Sequence, residues 1–145
     1  MLQPDVRHWA EPPTDEPSSL PHELTGISDK TLMSLLSEYA SWESRAAVLQ
    51  SEAEVKIART ERRMEVTKAV QMAASMKKVT EARADALISV EYTDAANQLL
   101  VFEEEKKLNG IMRDAMERYG KVVSRELTRR TTFEPLQRRN DRMNP

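Results

Sequence analysis

The chain has 145 residues, of which 32% are charged and only 5% aromatic, with a net charge of −2 and no cysteine. One all-α domain fits that length; thiol chemistry, disulfides and cysteine-based zinc sites are excluded, and so few aromatics argue against a large globular core. No stretch reaches the ~20 apolar residues of a membrane span, and Met1 to Ala10 lacks the basic-then-apolar order of a signal peptide, so a soluble protein of the cytoplasm is expected.

Residues 1–26 form the first segment. They hold five of the seven prolines (Pro4, Pro12, Pro13, Pro17 and Pro21) and five acids against Arg7 alone. Proline fixes φ and removes a backbone donor, so a disordered or extended leader is expected. It is either a plain solvated leader or one that offers Trp9 as a short linear anchor to a partner.

From Ile27 to Asn109 the chain runs 83 residues without a glycine or a proline. Those two residues supply most turns, so the run reads as very long helix. Ser28 is a good N-cap, Asp29 sits at the positive end of the dipole, and Ile27 can staple to Leu32. Leu32, Leu35, Tyr39, Trp42, Ala46, Leu49 and Ala53 then recur at alternating spacings of three and four. That is the seam of a coiled coil, and Leu32, Leu35, Tyr39, Trp42 and Leu49 are expected to form an oligomer seam. Beyond it the stripe drifts to Ile57, Met64, Met72, Met76 and Val79, which suits an adaptable contact.

A break is expected between Ser75 and Tyr92, because one unbroken rod would leave its stripe without cover. Thr80 can cap a short connecting helix through Ile88, and Ser89 the next long one. The second long helix is expected from about Val90 to Thr131, with Ala95, Leu99, Phe102, Leu108, Met112, Ala115, Tyr119, Val123 and Leu127 on one broad face. Gly110 and Gly120 lie inside it at a cost of ~1 kcal/mol each relative to alanine, which signals a close helix crossing or a kink. Past Phe133-Glu134-Pro135 a short basic tail is expected. The resulting organisation is a leader (1–26), a helical body (27–134) and a tail (135–145).

Charge sets the direction of pairing. Residues 28–55 carry two basic and five acidic side chains, and residues 56–83 carry eight basic and three acidic. Residues 84–105 hold six acids and no base, whereas 118–132 hold five bases and one acid. Each long helix starts acidic and ends basic, so antiparallel packing sets unlike charges side by side. The expectation is an elongated, coiled-coil-like antiparallel hairpin about 70 Å long that self-associates into a homo-oligomer.

No catalytic constellation is visible. His8 and His22 both lie in the leader, Glu103-Glu104-Glu105 reads as a solvated helix face, and the three glycines are isolated rather than arranged to cradle phosphate. Neither an enzyme, a metal nor a cofactor is expected. Nucleic-acid binding is the remaining chemistry. Lys56, Arg59, Arg62, Arg63, Lys68, Lys77 and Lys78 form one basic stretch. Arg118, Lys121, Arg125, Arg129 and Arg130 form another, followed by Arg138, Arg139 and Arg142. These residues either neutralise phosphates without reading sequence or pair with acids across the hairpin, where residues 28–132 sum to only +1.

The stretch from Met116 to Arg130, with Ser124-Arg125 at its centre and Phe133 after it, resembles the closing helix of the UvsY-like phage recombination mediator group. Met76 to Ala84 resembles the connector that group places between two long helices. The likeness covers roughly residues 30–134 and is mostly architectural. It implies a non-catalytic homo-oligomer in the cytoplasm of a bacterial host that binds single-stranded DNA. Such a protein helps load a RecA-type recombinase onto strands covered by a single-strand-binding protein. By that resemblance Lys56, Arg59, Arg62 and Arg63 contact DNA, with Arg125, Arg129 and Arg130 next; Lys68, of the same basic stretch, is a further DNA-binding candidate from its charge alone. The other expectation is a structural coiled-coil phage assembly or virion protein that binds no nucleic acid.

Overall fold

A computed structural model describes residues 11–143, with side chains described through residue 133. Trp9 and His8, the anchor and one of the two histidines considered above, lie outside the described residues, as do the side chains of Arg138, Arg139 and Arg142. The protein is all-α: α1 spans Asp29–Ala74, α2 Val79–Leu87 and α3 Val90–Met143. The two long helices pair as an antiparallel hairpin with the short helix between them, as expected.

The helix starts are decided locally. The amide of Thr31 donates to Ser28 Oγ at 3.2 Å and that of Leu32 to the Ser28 carbonyl at 3.0 Å. Ser89 does the same for α3, accepting from the Tyr92 amide at 3.3 Å. Thr80, in contrast, caps nothing. Lys78 holds the N-cap position of α2 without a side-chain bond, and Ser75 Oγ accepts the Lys77 amide instead. The end of α3 also departs from expectation. The helix runs through Pro135 to Met143, so no tail begins at 135. A proline inside a helix forfeits one backbone hydrogen bond and crowds the preceding turn at about 3 kcal/mol, so α3 carries Pro135 at a cost.

The chain divides into two compact units. Unit 1 comprises the chain up to Ala47 and from Ile111 onward. Its core is Leu32, Tyr39, Trp42, Met116 and Val123, with Leu35, Leu36, Met112, Tyr119 and Leu127 packed around it. The Tyr39 and Tyr119 rings meet edge to face at 5.5 Å and 65°, a geometry the ring quadrupoles favour. Burial, with the Glu38 charge beside it, raises the Tyr39 hydroxyl above its ordinary pKa. A Cβ on Gly120 would stand 3.6 Å from Leu36 Cδ1, an ordinary contact, so the helices do not approach closely enough here to require a glycine.

Two expectations change in unit 1. Leu32, Tyr39 and Trp42, expected at a seam between copies, are buried within one chain, with Leu35 beside them. Once the chain folds back on itself, α3 covers that stripe. The described part of the leader, residues 11–26, is in turn non-helical but packed against the helices. Leu20, Leu24 and Ile27 pack against the core, and both the Ser18 amide and hydroxyl donate to the Glu38 carboxylate, at 2.8 and 2.9 Å. Trp42 Nε1 donates to Thr14 Oγ1 at 3.3 Å.

Unit 2 is Val48–Gly110. Its buried residues are small: Ala53, Thr60, Ala82, Ala86 and Ala95. Leu49, the last of the expected seam residues, is half-buried here. The seam is polar at its edges. Lys56 Nζ lies 3.5 Å from Glu105 and Lys106 Nζ 3.4 Å from Glu54, while Gln71 donates to Glu91 at 3.2 Å. The α1 partners rise in number as the α3 partners fall, which is the antiparallel register the charges called for. A Cβ on Gly110 would stand 3.3 Å from Gln50 Nε2, the end of a flexible side chain that need yield only a few tenths of an ångström, so this glycine does not mark a close crossing of the helices.

Candidate nucleic-acid interface

The candidate cationic residues divide between the units. Lys56, Arg59, Arg62, Arg63 and Lys68 belong to unit 2, and Arg125, Arg129 and Arg130 to unit 1. In unit 2 they sit on α1, a helix long enough to hold its side chains at fixed spacing. Arg59 and Arg63 are four apart and so neighbours on one side of the helix. Glu61 and Glu65, also four apart, are offset from them by two residues and point to the other side. Arg62, three residues before Glu65, stands between the two sides, and Lys68 lies on the side of Glu61 and Glu65.

Cross-helix pairing takes up little of this charge. Among the described residues, no ion pair joins Arg59, Arg62, Arg63 or Lys68. Lys56 alone of the five reaches an acid, Glu105, and its ammonium also lies 5.4 Å from the Phe102 ring centroid. Arg63 Nη2 donates at 2.7 Å to the neutral amide oxygen of Gln98, which orients the guanidinium without neutralising it. Arg59, Arg62 and Arg63 are exposed, whereas Lys68 is half-buried. The expected facing acids of α3 therefore leave three arginines charged and in solvent. Such a row can contact successive phosphates, each guanidinium offering a planar fork of donors.

Unit 1 presents a different picture. Arg125 is exposed and, among the described residues, forms no ion pair. Arg129 is held by Glu126 through a two-bond fork, Nε and Nη2 donating at 2.9 and 2.8 Å. Arg130 is engaged further still. Its Nε donates to Glu126, its Nη1 to the Ile27 carbonyl at 2.6 Å and to Asp29 at 2.7 Å, and its Nη2 to the Leu24 and Thr25 carbonyls at 2.7 and 3.3 Å. With its side chain only 13% exposed, Arg130 ties the leader to the start of α1 and has little left for a phosphate.

The two arginines hold the Glu126 carboxyl at about 2, their hydrogen bonds being the largest cause. Sequence reasoning missed Gln98 and Phe102 as supports of the row. It also missed that Val55, Val66 and Val70 interleave it at helical spacing, all exposed by half or more. That second stripe was readable from spacing alone, since Val55, Arg59, Arg62, Val66 and Val70 are separated by four, three, four and four.

No group of histidine, aspartate and glutamate suited to a metal ion is found among the described residues, and none of their helices is long and apolar enough to cross a membrane. Comparison with protein-family models, curated proteins and solved structures finds no match to this chain.

Proposed function

We propose that the chain is a non-catalytic accessory protein that binds single-stranded DNA through the α1 row of Lys56, Arg59, Arg62 and Arg63. In the manner of the UvsY-like mediators it resembles, it would help load a RecA-type recombinase onto strands covered by a single-strand-binding protein. One observation carries the reading: Arg59, Arg62 and Arg63 stand exposed on one helix with no ion pair among the described residues. A row of charges kept in water without partners is costly by self-repulsion, and a phosphate backbone relieves that cost.

Single-strand binding then rests on counterion release, with little reading of base identity. Aromatic stacking contributes little, because Phe102 is half-buried under Lys56. The test is anisotropy of a labelled oligothymidylate titrated at rising salt. Three phosphate contacts predict a loss on the order of 20-fold in affinity between 50 and 200 mM salt. Reversing Arg59, Arg62 and Arg63 to glutamate should abolish binding while leaving helicity unchanged. Absence of binding by the wild-type chain at low salt would reject the reading. It would favour the structural coiled-coil alternative, which the exposed Val55, Val66 and Val70 also suit.

A further inference from the structure

Unit 1 holds its leader as it would hold a separate peptide. None of residues 11–26 is buried, while Leu32, Tyr39 and Trp42 in the core they pack against are. Leu20 and Leu24, spaced by four, make the apolar contacts beside Ile27. The polar contacts fall largely on main-chain atoms. Arg130 donates to the carbonyls of Leu24 and Thr25, and the two Glu38 oxygens accept the amide and the hydroxyl of Ser18. Trp42 Nε1, at 3.3 Å from Thr14 Oγ1, adds a side-chain contact. Arg130 is itself held by Glu126 and Asp29, so its guanidinium is aimed before any segment arrives. Proline keeps its carbonyl and lacks only its amide, so a groove that reads carbonyls admits Pro17 and Pro21 without a lost bond. Such a groove recognises a pattern and not a covalent attachment.

We infer that this groove is a docking site for a segment of another protein, and that the leader is its occupant in the free chain. The partner segment is non-helical and proline-bearing. It carries two apolar residues spaced by four, with a serine or threonine two places before the first, as Ser18 precedes Leu20. The hydroxyl belongs to the pattern because Glu38 takes an amide and a hydroxyl from one residue, a charge-assisted pair that alanine would halve. A second copy's leader is not that partner. It is identical to the one in place, which its own chain holds at an effective concentration on the order of millimolar, so exchange between copies gains nothing. A different segment takes the groove when its contacts outweigh that advantage. Docking covers Trp42 again, so the core of unit 1 is closed in both states. The site lies wholly in unit 1 and does not rest on DNA binding by the α1 row.

The test uses the full chain with Trp9→Phe, which leaves Trp42 as its one tryptophan. Ser18→Asp, Leu20→Ser and Leu24→Ser together should lift the leader, shifting Trp42 emission to the red while circular dichroism keeps its helical signal. The probe is a fluorescein-labelled peptide of residues 11–26 with an amidated end, followed by anisotropy. It should bind the lifted chain saturably and return Trp42 emission to the blue. The wild-type chain should need about a hundredfold more peptide for half-saturation, because its own leader competes in cis. A peptide of the same residues in scrambled order should not bind. Glu38→Ala in the lifted chain should weaken the true peptide by about tenfold, the loss of two bonds to a carboxylate. If the triple variant loses helicity, the milder Ser18→Asp chain takes its place in every titration. A lifted chain that ignores the peptide, a scrambled peptide that binds as well, or a Glu38→Ala chain that binds undiminished would each overturn the proposal. So would a wild-type chain that takes the peptide as readily as the lifted one.

Discussion

Arg130 and Glu126 show how one residue type serves two ends in this chain. Arg59 and Arg130 are both arginines in basic stretches, yet one stands in solvent and the other gathers three carbonyls and two carboxylates. Glu126 is the fixed point of that network, since both Arg129 and Arg130 donate to it. Its carboxyl is lowered from an ordinary 4.5 to about 2, so it favours the folded state above the ordinary value. That contribution is lost as pH falls from about 4.5 through about 2, where the folded-state carboxylate finally takes a proton. Glu126→Gln should therefore lower the urea midpoint at pH 7 and flatten its fall between pH 4.5 and pH 2. An unchanged pH profile would show that the forked arginines do not stabilise the fold.

At the scale of elements, the leader is the clearest departure from what the residues foretell. Its prolines and acids bar a helix, and residues 11–26 form none, but Leu20, Leu24 and Ile27 lie against the unit 1 core. Deleting residues 1–26 should therefore lower the melting temperature, although a composition-based reading expects no effect. Leu24→Ala, at a half-buried site, should cost about 1–2 kcal/mol, part of the range for burying a whole leucine. Thermal melts of both variants test this, and wild-type stability in both would return the leader to a bystander. The helix starts at Ser28 and Ser89 were legible because a cap is a contact across three residues. The Arg130 contacts span more than a hundred residues, to Leu24, Thr25, Ile27 and Asp29, and no local pattern encodes them. The heptad of Leu32, Tyr39 and Trp42 was legible as a seam, but a seam does not state whose helix covers it. The arginine row was equally plain as a row. Whether Arg63 meets an acid or Gln98 depends on the register of α3, whose nearest acids, Asp94 and Glu103, lie four and five residues from Gln98, and charge totals do not resolve that register.

For the molecule as a whole, the two units differ in what holds them. Unit 1 buries Leu32, Tyr39, Trp42, Met116 and Val123, whereas unit 2 buries four alanines and one threonine. A buried leucine, valine or methionine contributes about 1.5–3 kcal/mol and an alanine methyl less than about 1 kcal/mol, so unit 2 has much the smaller apolar contribution. Close alanine packing improves dispersion contacts but does not remove that gap. Local opening should therefore begin in unit 2. Hydrogen exchange at low protein concentration should find amides of 53–70 and 92–108 exchanging about tenfold or more faster than those of 32–46 and 112–127. If the exposed valines of unit 2 are covered by a second copy, protection in 53–70 and 92–108 should rise with protein concentration while unit 1 stays unchanged. Equal exchange in the two sets would mean that the hairpin opens as one cooperative body and that core size does not govern its stability. Exchange in unit 2 that ignores concentration would leave its valines in water, and the weak unit would then need another source of cover, of which a bound strand is the first to test.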